Sequence, residues 1–153
     1  MTGDAPRCPE CGAPLAPGGA CVDLFHALLA LEGGFPDAPG SILHFYLVAS
    51  YNLQHPDSVG LSAETLHGLR RNLADALDGR ATLEELRRRA RRAADGPTRV
   101  RRRPGEPPAD WCRGPWPMNV ADVLAATADT YPALVTAWAR SVRAALAAWR
   151  GDG

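Results

Sequence analysis

The segment CPECG holds two cysteines, Cys8 and Cys11, within a stretch that shows no regular secondary structure of its own. Residues 1–20 are rich in proline, glycine and alanine and have no helical periodicity. Two thiolates at this spacing can bind one tetrahedral metal ion, and the glycine lets the backbone turn around the sulfurs. We therefore expect residues 1–20 to form an irregular metal-binding knuckle and lead-in, with Zn²⁺ as the cofactor.

Two other uses of a cysteine pair fit this sequence less well. A redox pair of the thioredoxin type needs a helix directly after it, because the helix N-terminus lowers the thiol pKa. Here APLAPGG follows, with two prolines, and no strand pattern precedes. A disulfide is disfavoured if the protein is cytoplasmic. That location is expected because the sequence has neither a secretory signal at MTGDAPRCPECG nor an apolar run long enough for a membrane span.

Apolar periodicity and helix-end signals predict an all-α fold, a compact bundle of five or six helices carrying the N-terminal knuckle. Ser41 and Asn119 are expected N-caps, Thr82 and Glu85 form a capping-box pattern, and Pro56 is expected to end the second helix. The chain, residues 1–153, is expected to be a single domain. Its parts are helices one to four at 21–95, a Pro- and Arg-rich loop or short hairpin at 96–118, and a C-terminal helix pair at 119–150.

A CxxC pair supplies half of a zinc site, so two further ligands are needed. A short loop makes the first two helices antiparallel neighbours, which brings Cys21, at the start of the first, beside His55, at the end of the second. His44 shares a helix face with His55, but eleven residues of helix span about 16 Å, so the two cannot bind one ion. Cys8, Cys11, Cys21 and His55 are therefore the predicted ligands. Cys112 is an alternative to Cys21 or His55 if the later loop folds back.

Four segments together resemble an uncharacterised bacterial family of domains of unknown function. They are CPECG, CVDLFHALLALE, HFYLVASYNLQHP and NVADVLAATADTYPALVTAWARSV. The resemblance covers residues 8 to 149 and is weakest over 78–110. It implies a shared fold and a shared cluster of Cys8, Cys11, Cys21, His44 and His55, and it brings no known activity.

A second group of polar side chains is predicted between the first two helices. Glu32 and His44 are expected to face each other, with His26 nearby and Tyr51 on the same face as His44. A carboxylate beside a histidine can perform acid/base chemistry or bind a catalytic ion. The candidate catalytic residues are therefore Glu32, His44 and Tyr51. A buried hydrogen bond that fixes the helix register is the favoured alternative. His67 has no obvious carboxylate partner and is expected to be exposed.

The segment WCRGPWP at 111–117 combines two tryptophans, a thiol and an arginine. It could close over a ligand pocket in which Arg113 holds an anion beside Trp111 and Trp116. The favoured interpretation is a hydrophobic plug that pins the loop to the helices.

The charge of the chain is unevenly distributed although its net charge is zero. Nine of the 17 arginines lie between Arg87 and Arg103, and there is no lysine. Such a run can bind phosphates or nucleic acid. However, arginines 87, 88, 89, 91 and 92 wrap most of a helix and no aromatic residue is interleaved for base stacking, so a solvated helix face is preferred.

The sequence thus favours a zinc-binding helical protein whose metal is structural. A metal-dependent hydrolase or transferase, using an open Cys/His site or Glu32 and His44, is the first alternative. A nucleic-acid or phosphate binder acting through Arg87–Arg103 is the second.

Overall fold

The computed structural model describes residues 3–97 and 99–150, and within these ranges all regular secondary structure is helical. The prediction of an all-α fold is confirmed. One more helix is found than was expected, because a four-residue turn of helix follows the second one. The seven helices are α1 (Cys21–Gly33), α2 (Ile42–Gln54), α3 (Pro56–Val59), α4 (Ala63–Leu77), α5 (Leu83–Asp95), α6 (Val120–Leu124) and α7 (Tyr131–Ala148).

Side-chain caps fix the starts of four helices. Ser41, Ser62 and Asn119 each accept a hydrogen bond from a backbone N–H in the first turn that follows them. Thr82 does the same for the N–H of Glu85, but the reciprocal half of the predicted capping box does not form. The Glu85 carboxylate points instead toward arginines on the next turn of α5. Salt bridges along the helix thus replace the second capping bond.

The boundary between α2 and α3 depends on His55 and Pro56. Helix α2 ends at Gln54, as the proline predicts, and Pro56 then starts a new turn because proline suits the first position of a helix. Gly60 ends that turn with a left-handed backbone (φ 71°), a conformation that favours glycine. The result is a sharp corner that leaves His55 between two helices.

The core lies where α2 packs against α7 and α4, while α1 packs on α6. Trp138 of α7 is fully buried near its centre. Its indole Nε1 donates to the side chain of Gln54, whose amide in turn donates to the carbonyl of Met118 at 2.7 Å. These bonds satisfy the polar atoms of two buried side chains and hold the end of α2 to the C-terminal part of the chain.

The segment 96–118 has no strand pair of its own in the part described, so the hairpin alternative is wrong. It is attached to α3 and α4 instead: Ser62 donates its backbone N–H to Val100, and Arg102 donates its own to Gly60. Helix α6 is short and ends at Leu124. Among the described residues, no helix is long and apolar enough to cross a membrane.

The end of α4 is joined to α7 by an ion pair in which both nitrogens of the Arg143 guanidinium approach the Asp78 carboxylate, one at 2.7 Å. This hydrogen-bonded arginine lowers the pKa of Asp78 below its ordinary value. A lowered native pKa stabilises the fold above about pH 4 and loses that contribution as the pH falls through the native value.

We therefore expect Asp78→Asn to lower the thermal midpoint at pH 7 and to show a smaller deficit at about pH 2, where the wild-type carboxylate begins to lose its charge. Thermal denaturation followed by circular dichroism across this range measures the difference. The exposed Asp129, which makes no ion pair among the described residues, provides the control Asp129→Asn. A deficit of Asp78→Asn that is the same at both pH values would contradict the role of the charge.

Candidate metal centre

The knuckle is a tight backbone turn around the two cysteines of CPECG. The N–H of Cys8 donates to Ala13 and the N–H of Gly12 donates back to Cys8, at 2.8 and 2.9 Å. Gly12 has a left-handed backbone (φ 82°), which explains why a glycine follows the second cysteine. Cys8 and Cys11 are both buried, although most residues around them in the knuckle are not.

Two further residues complete a four-membered cluster. Cys21 is the first residue of α1, and His55 lies directly after α2, so the antiparallel arrangement places them side by side as predicted. The Sγ atoms of Cys11 and Cys21 are 3.6 Å apart, and Sγ of Cys8 is 3.6 Å from Nε2 of His55. All four donor atoms lie within 4.8 Å of one another, and all four residues are buried.

The backbone of α2 sets the orientation of the His55 ring. Its Nδ1 lies 2.7 Å from the carbonyl oxygen of Tyr51, which can only accept, so Nδ1 carries the proton. Nε2 therefore presents a lone pair to the sulfurs, which is the tautomer that a metal ligand needs. The Tyr51 ring stacks on His55 at 4.0 Å, and Phe25 stacks on Tyr51 at 4.1 Å, so the imidazole is held by packing as well.

The contact between Cys11 and Cys21 shifts the pKa values of the two thiols in opposite directions. A hydrogen bond with Cys21 lowers the pKa of Cys11 to about 4. The same contact, together with burial, raises the pKa of Cys21 above its ordinary value. None of the four cysteines of the chain forms a disulfide. The cluster thus already favours one thiolate among closely spaced donors.

Two of the donor separations are compatible with a tetrahedral metal ion. With Zn–S bonds of about 2.3 Å and Zn–N bonds of about 2.0 Å, a tetrahedron has S···S edges of about 3.8 Å and S···N edges of about 3.5 Å. The two short separations in the cluster match these edges. A disulfide would instead bring two sulfurs to about 2.05 Å. This buried Cys₃His cluster could therefore hold a metal ion.

A family of unknown function, DUF5946, matches residues 6–147 of the chain. The protein belongs to this family. The match confirms the resemblance to an uncharacterised family that the sequence suggests, and it spans the whole cluster and helices α1 to α6. No curated protein and no solved structure matches the chain.

His44 lies outside the cluster in this member of DUF5946, contrary to what the resemblance implied. It lies at the opposite end of the α1–α2 pair, with Nδ1 at 2.6 Å from Oε1 of Glu32. The other carboxylate oxygen of Glu32 accepts from the hydroxyl of Tyr131 at the start of α7. Burial, aided by this bond, raises the pKa of Tyr131 and keeps the phenol a donor.

The predicted contact between Glu32 and His44 is thus present, but its surroundings differ from the expectation. Tyr51 contacts His55 instead, because it is one helical turn from His55 and two from His44. His26 is exposed and makes no polar contact with Glu32. Since both Glu32 oxygens already accept hydrogen bonds from the protein, the arrangement favours fixing the helix register over acid/base chemistry.

Two other candidates have different surroundings from those expected. His67 is half-buried rather than exposed, because the ring of Trp111 meets it edge-on at 5.2 Å. Cys112 is buried, but its sulfur is not part of the four-residue cluster. It lines a separate groove beside Gln54 and Pro56.

The segment WCRGPWP packs as a plug. Trp111 is buried and donates its indole N–H to the carbonyl of Leu53 at 2.9 Å. Arg113 is exposed and is engaged by the Asp57 carboxylate at 2.5 Å and by the carbonyl of Ala109. Trp116 is half-buried against the core. An anion would have to compete with Asp57 for Arg113.

Four of the nine arginines between Arg87 and Arg103 form ion pairs within the described part of the chain. Arg88 pairs with Glu85, and Arg89 pairs with Asp75 at 2.8 Å. Arg101 and Arg102 donate to backbone carbonyls, and Arg103 approaches Glu106. These contacts favour the solvated helix face over a nucleic-acid surface.

Two residues that organise this region were missed by sequence reasoning. Tyr131 contacts Glu32 across 99 positions of sequence, and no local pattern marks such a contact. Glu10 accepts hydrogen bonds from the N–H groups of Asp57 and Ser58 and so caps α3 from the knuckle. The only feature of the sequence that could have indicated this role is the position of Glu10 between the two cysteines.

Replacing Glu32 tests its structural role. We expect Glu32→Leu to lower the free energy of unfolding by about 3 kcal/mol, because the buried Tyr131 hydroxyl loses its acceptor. Glu32→Gln should cost about 1 kcal/mol, since the amide still accepts from Tyr131 and donates to His44. Chemical denaturation measures both, with the exposed Glu84→Gln as control. Equal stability of Glu32→Leu and wild type would contradict this role.

Proposed function

We propose that Cys8, Cys11, Cys21 and His55 bind one Zn²⁺ in a closed structural site. The observation that carries this proposal is the pair of 3.6 Å separations, Cys11 to Cys21 and Cys8 to His55, which match the edges of a zinc tetrahedron. Three thiolates and one imidazole are a typical ligand set for structural zinc. The carbonyl of Tyr51 on the far side of the imidazole supports the ligand assignment of His55.

A structural role is favoured over a catalytic one because four protein ligands fill a tetrahedral ion. A catalytic zinc keeps one position open for water or substrate. Here all four donor residues are buried, and Tyr51 and Phe25 stack over the histidine. The metal would hold the ligand-bearing segments together, and any catalysis would require a different site.

The position of the site indicates what the metal would stabilise. The knuckle has few other anchors, since Ala13 is its only other fully buried residue in the described part of the chain. Bound zinc would join it to the start of α1 and the end of α2, and Glu10 would extend the connection to α3. We propose that DUF5946 proteins of this type use the metal as a staple for a helical scaffold, which acts by binding a partner or small molecule.

The ligand assignment predicts a pattern of metal loss. Cys11→Ser and His55→Ala should reduce bound zinc from about one ion per chain to a small fraction, because three donors hold the ion weakly. Cys112→Ser and His44→Ala are matched controls and should retain it. Elemental analysis of purified proteins measures the ratio. Zinc retained by His55→Ala and lost from His44→Ala would contradict the assignment.

Removing the metal distinguishes a staple from a catalytic ion. Because metal binding free energy adds to folding free energy, a strong chelator should lower the thermal midpoint and increase amide exchange over residues 7–15. Cobalt substituted for zinc should give the absorption of a tetrahedral thiolate site, unchanged by added azide. A spectrum that changes with azide would show an open position and support the catalytic alternative instead.

A further inference from the structure

An open groove of about 810 Å³ lies between α4 and α5, away from the metal centre. Its floor is formed by small and apolar side chains: Gly68 and Leu69 from α4, and Ala90, Ala93 and Ala94 from α5. Val100 closes one end, since the backbone of Val100 is hydrogen-bonded to Ser62 just before α4. The groove therefore runs along both helices.

The apolar face of α5 is only half covered. Leu83, Leu86, Ala90 and Ala93 follow a helical repeat, yet Leu86 is the only residue of α5 that is buried. The three alanines of the groove are exposed. Val100 is one of two large hydrophobic residues exposed in the described part of the chain. An apolar helix face normally packs against another element, and here none of the described residues covers it.

Positive charge is concentrated at the other end of the groove. Arg71, Arg89 and Arg92 line this end, where a smaller groove of about 430 Å³ adjoins the first. Asp75 neutralises Arg89 at 2.8 Å. Arg71 is exposed and forms no ion pair among the described residues, and Arg92 is largely exposed, at 3.4 Å from Glu85. Arg71 thus has no carboxylate partner among the described residues, and Arg92 shares the single carboxylate of Glu85 with Arg88 and Arg89.

We propose that this groove binds an amphipathic helix of a partner protein, with apolar residues toward the alanines and acidic residues toward Arg71 and Arg92. A groove between two helices accepts a third, and a floor of glycine and alanine lets its backbone approach closely. Arginines pair with carboxylates through two parallel hydrogen bonds, which selects an acidic partner.

The lining of the groove favours a protein helix over nucleic acid. Neither groove is lined by a phenylalanine, tyrosine or tryptophan on which a base could stack. Phosphate binding also does not require apolar side chains in the groove, whereas binding of an amphipathic helix requires them. This interaction goes beyond the structural metal and does not depend on it.

The test uses the full chain loaded with zinc and a fluorescein-labelled designed helical peptide, with leucine and alanine on one face and glutamate on both flanks. Fluorescence anisotropy should show binding of this peptide and not of the same peptide with lysine flanks. Ala93→Arg, which keeps positive charge but fills the groove, should weaken binding at least about tenfold, and Arg71→Glu several-fold. Ala144→Arg, at an exposed alanine of α7, is the matched control and should bind like wild type.

Circular dichroism confirms that each variant is folded, and Ala94→Arg replaces Ala93→Arg if the latter is not. Equal binding by the groove-filled variant and wild type would overturn the proposal, as would no binding of the acidic peptide. Binding of a labelled single-stranded oligonucleotide in place of the peptide, lost in Arg71→Glu, would assign the surface to nucleic acid. A dimer in sedimentation that Ala93→Arg dissociates would assign it to a second copy of the chain.

Discussion

The contact between the start of α1 and the end of α2 determines how the rest of this protein is assembled. At that point Cys21 and His55 meet the two cysteines of the knuckle, and the residue before His55, Gln54, holds α7 and the loop before α6 through its amide. Segments that are distant in sequence therefore converge on one turn of helix. Because these polar groups are buried, each needs its partner, and the junction tolerates little displacement.

The parts of the structure that follow from local chemistry could be predicted from the sequence. Ser41 and Asn119 cap helices because their side chains reach the nearest free N–H groups, and Pro56 ends α2 because of its fixed ring. The proximity of Cys21 and His55 also follows, since a short loop makes two consecutive helices antiparallel. Contacts between distant segments could not be predicted. Tyr131 reaches Glu32 from α7, and Trp111 partly buries His67 from a long loop, and neither contact leaves a local pattern.

The prediction for Tyr51 was wrong because it considered the helix face on which residues lie and not their distance along the helix axis. His44, Tyr51 and His55 share one side of α2, and a shared side predicts that Tyr51 lies near His44. Along the helix axis, Tyr51 lies about 10 Å from His44 and about 6 Å from His55. The same consideration excludes His44 from the cysteine cluster of this DUF5946 protein. The Arg-rich segment is a related case, since in the fold four of its nine arginines pair with carboxylates and several others donate to backbone carbonyls.

The two polar contacts at opposite ends of α2 also fix the length of that helix. His44 and His55 are eleven residues apart, which is close to three whole turns, so both point toward α1. One residue inserted between them would rotate one end by about 100° relative to the other, and either Glu32 or the cysteines would lose their histidine. An insertion is therefore expected to be tolerated in the loop between α1 and α2 or beyond His55, whereas an insertion within α2 would break one of these two contacts.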